Sequence, residues 1–184
     1  MDDVVRGYIK RIYFDGDYDF FMERCKTIPY YLQGLVDTIK SLCKNITIED
    51  LKNDKAPSIS VVCDYDNYSN GNFNAEYKTV IKISKVANAF VLYHRFRVNN
   101  MDPDGLFSIL ETESWEQFTL QQYDLEEKAL KYLADKNVSQ IETNEFDLVV
   151  TGIDMPENSP FGRQMTIGTA LFHDAFGICD KKYI

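Results

Sequence analysis

Two histidines are the side chains best suited to acid–base chemistry in this chain of 184 residues. His94 falls on the apolar side of an alternating run, where a histidine more often completes a core than catalyses a reaction. His173 precedes Asp174 in the last turn of a predicted helix, where its cationic form would favour the helix C-terminus. Cys179 lies beyond the expected helix end, so the spacing supplies no cysteine–histidine dyad. A small hydrolase or transferase that uses His94 or His173 with a carboxylate is therefore an alternative function, not the leading one.

The other chemistry-bearing residues form no complete catalytic, nucleotide-binding or metal-binding motif. Cys25, Cys43, Cys63 and Cys179 are widely spaced and include no Cys-x-x-Cys pair, which argues against zinc and favours reduced thiols. From Asp66 onward the spacing is similar to a calcium loop, but tyrosine occupies the twelfth position, where a carboxylate is required. We predict no catalytic residue, no metal site and no cofactor.

The elements that must position these residues are helical at first and extended in the middle of the chain. Within residues 1–55, apolar residues at spacings of three and four after Pro29 predict an amphipathic helix. Thr47–Asp50 is expected to cap a further helical turn. Residues 59–98 contain strand-forming runs, and Asn70-Gly71 predicts a hairpin with a type I′ turn. These runs predict an antiparallel meander with one face in a core.

The remaining part, residues 114–184, mixes helical and extended patterns. Asp124–Glu127 reads as a capping box that opens a helix, and Thr166–Phe176 as a second helix. Strands flanked by helices without regular alternation are typical of the α+β class. We therefore predict one α+β domain over residues 1–184, with a mostly antiparallel sheet, a central meander and several packed helices.

The charge of the chain limits its partners. With 29 Asp and Glu against 20 Lys and Arg, the net charge is −9, which disfavours nucleic acid and anionic membrane surfaces. No apolar run approaches the roughly 20 residues of a membrane span. The N-terminus opens Met-Asp-Asp without a basic and then apolar leader, so we expect a cytoplasmic protein. The acidity suits a basic protein partner.

Acidic and aromatic residues recur together in predicted loops, as around Cys63-Asp64-Tyr65 and Ser114-Trp115-Glu116. Such a combination suits a surface that binds another protein, because tyrosine and tryptophan supply contact area at low entropic cost. For Trp115, a role in capping the core is the competing interpretation. The predicted partner-binding residues are Asp64, Tyr65, Asp66, Tyr68, Asp102, Asp104, Glu111, Glu113, Trp115 and Glu116.

Together these features lead to a resemblance. A small, acidic α+β chain without a catalytic motif, with the closing stretch from Ala170-Leu171-Phe172-His173-Asp174 to Ile178-Cys179-Asp180, resembles the immunity proteins of bacterial polymorphic toxin systems. That resemblance implies a non-enzymatic inhibitor that binds and neutralises a cognate toxin domain. A structural or adaptor subunit is a further alternative, and the sequence leaves the oligomeric state open.

Overall fold

The computed structural model describes residues 3–100, 109–157 and 159–180 of the chain. Within these ranges, six α-helices pack with a mostly antiparallel sheet of seven strands, which confirms the predicted α+β class. None of the helices in the same ranges is both long and apolar enough to cross a lipid bilayer.

Three of the helices begin after a residue whose side chain accepts from one of the first backbone amides, namely Asp17, Thr119 and Thr166. Asp17 caps the second helix by accepting the amide of Phe20 at 3.1 Å. Thr119 and Gln122 form the capping box of the fourth helix, which therefore starts one turn before the predicted box at Asp124, and that prediction is wrong. The helices are α1 (Asp3–Ile9), extended by a π-helical turn (Lys10–Phe14), α2 (Tyr18–Cys25), α3 (Leu32–Ile39), α4 (Leu120–Asp135), α5 (Thr143–Phe146) and α6 (Ile167–Phe172).

The sheet has the spatial order β1-β2-β4-β5-β6, and each neighbouring pair in this order is antiparallel. The short β3 pairs with β4, and β7 runs parallel to the start of β5. The last two strands pair separately as a small second sheet. The strands are β1 (Asn45–Glu49), β2 (Ser58–Asp64), β3 (Tyr68–Asn70), β4 (Phe73–Ser84), β5 (Ala89–Asn100), β6 (Ile109–Ser114), β7 (Ser139–Gln140), β8 (Val149–Asp154) and β9 (Gln164–Thr166).

Two local predictions need correction. The segment Thr47–Asp50, expected to cap a helix, lies mostly in strand β1, because Ile46 and Ile48 alternate onto the core. The hairpin predicted at Asn70-Gly71 is confirmed, but its two-residue turn is Gly71-Asn72. Only the first of these has a positive φ, +57° at Gly71, which is the pattern of a type II′ turn and not of type I′.

Both faces of the sheet are covered in the half nearest the start of β5, whereas one buried face was predicted. The first, which we call the α4 face, carries Ile81, Phe90 and Leu92 against α3 and α4. The second, the α6 face, carries Ala89 and Val91 against α1 and α6. Because successive strand residues point to opposite faces, β5 contributes to both cores at once.

A buried lysine ties the N-terminal part of the chain to the sheet. Lys85, at the end of β4, is 2% exposed, and its Nζ donates to the carbonyl oxygens of Cys25, Asp50 and Asn53 at 3.0, 3.4 and 2.7 Å. In return, Arg24 Nε donates to the carbonyl oxygen of Lys85 at 2.9 Å. All three ammonium protons therefore have acceptors, as a buried cation requires.

Candidate functional site

The α4 face is open at one end, because helix α4 covers only part of it. Near the start of α4, Gln122 Nε2 donates to the carbonyl oxygen of Lys78 at 2.9 Å. β4 and β5 run past this level, so residues 73–77 and 96–100 lie beyond the helix. We call the side chains on this part of the α4 face the open sheet surface. It consists of Tyr68, Phe73, Tyr77, Phe96, Val98, Leu110 and the adjacent Phe118.

The open sheet surface is apolar and accessible. The exposed fractions are 63% for Tyr68, 56% for Phe73, 62% for Leu110 and 40% for Phe118. Beneath them, the ring of Phe96 lies 5.5 Å from that of Phe118, which joins the strands to the start of α4. Large contiguous apolar patches are uncommon on monomeric soluble proteins and mark places where another molecule binds.

The opposite face of the same strands is polar, and four of its charged side chains form two ion pairs. Lys78 Nζ lies 3.0 Å from a carboxylate oxygen of Asp64, and Arg95 Nε lies 2.7 Å from one of Glu113. Lys78 and Arg95 are directly opposite in the β4–β5 register, so the four side chains form one row across the sheet. Two predicted partner-binding acids, Asp64 and Glu113, are thus neutralised within the chain and sit on the α6 face.

Tyr65 is not a surface contact, contrary to prediction, because it is 3% exposed and belongs to the core under α4. Its hydroxyl lies 2.8 Å from Thr79 Oγ1, and Thr79 Oγ1 lies 3.0 Å from Nδ1 of His94. His94 Nε2 in turn lies 2.8 Å from a carboxylate oxygen of Glu126. Four side chains therefore make one hydrogen-bonded chain through the core.

The protonation state of Glu126, at the end of this series of hydrogen bonds, follows from its neighbours. Burial raises the pKa of the Glu126 carboxyl, but hydrogen bonds from His94 and Gln117 outweigh it and hold that pKa below its usual range. Glu126 is therefore a carboxylate that accepts from Nε2–H of His94. Nδ1 on the other side of the ring lies within hydrogen-bonding distance of the Thr79 hydroxyl, which is in turn within hydrogen-bonding distance of the Tyr65 hydroxyl. His94 and Thr79 are both 0% exposed, so these hydrogen bonds orient side chains within the core, and neither side chain is accessible to a substrate.

His173 lies in a different place, at a cleft on the α6 face with a volume of about 230 Å³. Its Nε2 is 3.4 Å from Nζ of Lys82, and its ring lies 4.7 Å from that of Phe161. Burial and the Lys82 ammonium lower the pKa of His173 to about 4. Helix α6 ends at Phe172 and His173 is extended, so the predicted cation at a helix C-terminus is wrong.

The other predicted residues are divided between these regions. Trp115 lines the His173 cleft, with its ring 6.3 Å from Tyr93, as its predicted core-capping role would require. Asp66 is exposed two residues before Tyr68 and lies 3.4 Å from Lys44 Nζ. Glu111 and Glu116 are exposed, and Asp102 and Asp104 lie outside the described residues. Of the predicted residues that the structure describes, only Tyr68 belongs to the open sheet surface itself.

Sequence reasoning missed the apolar members of that surface, namely Phe73, Phe96, Val98, Leu110 and Phe118. A signal was present, because Phe96 and Val98 continue the apolar alternation of β5 toward Asn99 and Asn100, beyond the reach of a single covering helix. Among the described residues, histidine, cysteine, aspartate and glutamate form no group of three that could hold a metal ion. Comparison of the chain with protein-family models, with curated proteins and with solved structures gave no match.

Proposed function

We propose that this chain is a non-enzymatic inhibitor that binds a basic protein, such as a bacterial toxin domain, through the open sheet surface. The observation that carries the proposal is the exposure of that surface, where aromatic and aliphatic side chains lie together and no helix of the described residues covers them. Aromatic anchors at the centre of an interface contribute most of its binding free energy. Tyr68, Phe73 and Leu110 are the anchors that the geometry favours.

The choice of a basic partner rests on charge. None of the seven side chains of the open sheet surface is charged, and the chain as a whole carries a net charge of −9. Asp66 precedes Tyr68 by two residues and Glu116 precedes Phe118 by two, so exposed carboxylates border the surface at two points. Carboxylates around an apolar centre speed encounter with a cationic protein and fix its orientation. A second copy of this equally acidic chain would instead be repelled.

The inhibitor interpretation is supported by where the histidines lie. His94 is enclosed in a series of buried hydrogen bonds, and His173 lies in a cleft on the opposite face of the sheet. Binding at that surface therefore needs no chemistry from the chain. An inhibitor of this kind acts by covering its target, so its work is done by contact area and complementarity.

The test compares two matched substitutions of exposed leucines. Leu110→Asp places a charge in the open sheet surface, whereas Leu148→Asp changes a leucine of 52% exposure that lines a different cleft, near Phe14. The tagged native chain and both variants are incubated with lysate of the source organism at low and at moderate salt, and the captured proteins are identified by mass spectrometry. We expect one stoichiometric basic partner with the native chain and Leu148→Asp, and its loss with Leu110→Asp.

Equal capture by Leu110→Asp would refute the assignment of the surface. The captured partner must also lose its activity when the native chain is added, since a partner that stays active is bound by an adaptor and not by an inhibitor. Light scattering of the free chain tests whether the open sheet surface instead joins two copies of this chain. A native dimer that Leu110→Asp converts to monomers would make the open sheet surface a contact between two copies.

Charge reversal at Asp66 tests whether exposed carboxylates speed association with the basic partner. Asp66→Lys is expected to slow association with the partner and to flatten its dependence on salt, because an exposed acid beside the interface acts mainly on the association rate. Asp64→Lys is the comparison, since Asp64 lies beside Lys78 on the opposite face of the sheet and should change the rate less. If neither variant changed the association rate or its dependence on salt, electrostatic steering by Asp66 would be contradicted.

The cleft at His173 favours a second candidate function, an acid–base enzyme. His173 is a neutral base around pH 7, and Lys82, Tyr93 and Glu113 line the same cleft. A thermal-shift screen of small metabolites distinguishes this candidate. A compound that stabilises the native chain but not a Trp115→Ala variant, and that is turned over only while His173 is intact, would replace the inhibitor proposal.

A further inference from the structure

Two of the four cysteines meet beside the first two strands, although they are distant in sequence. Cys63 is on β2 and points into the core under α4, with 0% exposure. Cys43 follows the short helical turn after α3, and the amide of the next residue, Lys44, donates to the carbonyl oxygen of Asp64 at 2.8 Å. That bond holds Cys43 against β2, where its side chain packs on the core cluster that contains Cys63 and its Sγ lies 3.8 Å from the carbonyl oxygen of Ile39. Both thiols are free.

Only one of the two sulfurs can be reached from solvent. Cys43 is half-buried and lines a cleft of about 210 Å³ together with Tyr65, Asp66 and Gln121. Cys63 lies behind it. Contact with Cys63 lowers the pKa of the Cys43 thiol, while the contact with Cys43 and burial raise the pKa of Cys63. An accessible thiol with a lowered pKa is the one that reacts with oxidants.

We propose that Cys43 and Cys63 are a redox-active pair in which Cys43 reacts with a peroxide and Cys63 converts the product to a disulfide. In the first step, the Cys43 thiolate attacks one oxygen of hydrogen peroxide and the O–O bond breaks. The hydroxide that leaves takes up a proton as water, and Cys43 becomes a sulfenic acid. The Cys63 sulfur then attacks the Cys43 sulfur, the S–O bond breaks, and the departing hydroxide takes the Cys63 proton as a second water. Two thiols lose two electrons and one peroxide gains them.

The other two cysteines provide an internal control. Cys25 on α2 and Cys179 in the helical turn Ile178–Asp180 also pack in one core cluster. Burial raises the pKa of Cys25 to about 11, and burial together with Cys25 and the Asp174 carboxylate raises that of Cys179. Two thiols that both resist deprotonation react slowly with peroxide. This pair is expected to stay reduced while Cys43 and Cys63 are oxidised.

The test treats the folded, full-length chain with hydrogen peroxide at neutral pH, blocks the remaining thiols by alkylation, and maps the tryptic peptides by mass spectrometry. Peptides 41–44 and 56–78 are expected to be joined by a disulfide, with Cys25 and Cys179 alkylated. Cys43 should be oxidised at least about tenfold faster than Cys179. In Cys63→Ser the reaction should stop at a sulfenic acid on Cys43, which dimedone captures. In Cys43→Ser neither product should form.

Two results would overturn the proposal. The first is an absence of both the 41–44/56–78 link in the native chain and the dimedone adduct in Cys63→Ser. The second is oxidation of Cys25 and Cys179 at the same rate as Cys43. Circular dichroism of each variant, and a repeat of the native reaction in concentrated urea, separate chemistry of the folded site from chemistry of exposed thiols. A link that forms equally fast in urea would also contradict the folded site as its cause.

Discussion

Replacing Thr79 with valine would keep the shape of the side chain and remove the hydroxyl that joins Tyr65 to His94. Thr79 Oγ1 is hydrogen-bonded to the Tyr65 hydroxyl at 2.8 Å and to His94 Nδ1 at 3.0 Å, and Thr79 is 0% exposed. Thr79→Val therefore leaves two buried polar groups without partners. Tyr65→Phe is a milder change, because Thr79 retains its bond to His94.

The expected changes in the free energy of unfolding follow from the number of buried polar groups that each variant leaves without a partner. A buried polar group left without a partner costs roughly 1 to 3 kcal/mol, so Thr79→Val is expected to lower the free energy of unfolding by roughly 2 to 6 kcal/mol. Losing one hydrogen bond without leaving an unpaired group costs about 1 kcal/mol, which is the expectation for Tyr65→Phe. In the double variant the phenylalanine removes one of the two unpaired groups. Tyr65→Phe should therefore destabilise the native chain but stabilise the Thr79→Val chain by roughly 1 to 3 kcal/mol.

Urea unfolding of the native chain, the two single variants and the double variant measures all four free energies. The change of sign is the decisive result, because packing losses alone would make the two substitutions add. The reasoning is refuted if Tyr65→Phe destabilises both backgrounds equally, or if Thr79→Val costs no more than Tyr65→Phe. Either outcome would mean that the hydroxyl of Thr79 does not join the other two groups.

Two further predictions concern a helix contact and acid stability. Gly34→Ala should lower the free energy of unfolding by roughly 1 to 3 kcal/mol, because the new methyl group meets the side chain of Tyr132 on α4. Gly7→Ala on α1 has no neighbouring atom within 4 Å to meet, so it should raise the free energy of unfolding by up to about 1 kcal/mol. His173 binds protons more weakly in the folded chain than in the unfolded one, since burial and Lys82 lower its pKa from 6.5 to about 4. The free energy of unfolding should therefore fall as the pH drops from 6.5 to about 4, and it should fall less steeply in His173→Gln.

Thermal and urea unfolding measure both effects, and each prediction has an outcome that contradicts it. Equal changes for the two glycine variants would show that the close approach of α3 and α4 is not limited by the missing Cβ. For the histidine, an NMR titration of the His173 ring should give an apparent pKa near 4. A titration near 6.5, or an unchanged pH dependence in His173→Gln, would mean that the ring is hydrated and not held against the lysine.

The central strands β2, β4 and β5 were predictable because their pattern is local. β5 opens with an apolar run and alternates from Arg95 to Asn99, and the glycine at position 71 marks the hairpin independently of anything else in the chain. The start of α4 was harder, since Thr119 and Asp124 both precede a Gln or Glu by three residues. Which of them caps the helix depends on where Gln122 can reach β4, and that is a tertiary contact.

The candidate site was less predictable, for a related reason. Charge and aromatic content indicate a binding surface, but the face on which each residue lies depends on strand register. Asp64 and Glu113 meet Lys78 and Arg95 only because β2, β4, β5 and β6 align in one register. Tyr65 shares the odd-numbered parity of buried β2 residues, so its burial could have been predicted by extending that alternation.

The three carbonyl bonds of Lys85 have a consequence for how the molecule opens. Separating α2 or the β1–β2 connection from the sheet would leave an ammonium group in a poorly solvated site, and that penalty opposes partial unfolding of the N-terminal part. The first fifty residues and the sheet should then behave as one cooperative unit. In native-state hydrogen exchange, the slowest amides of α2 and of β4 would share a single opening free energy and a single dependence on denaturant.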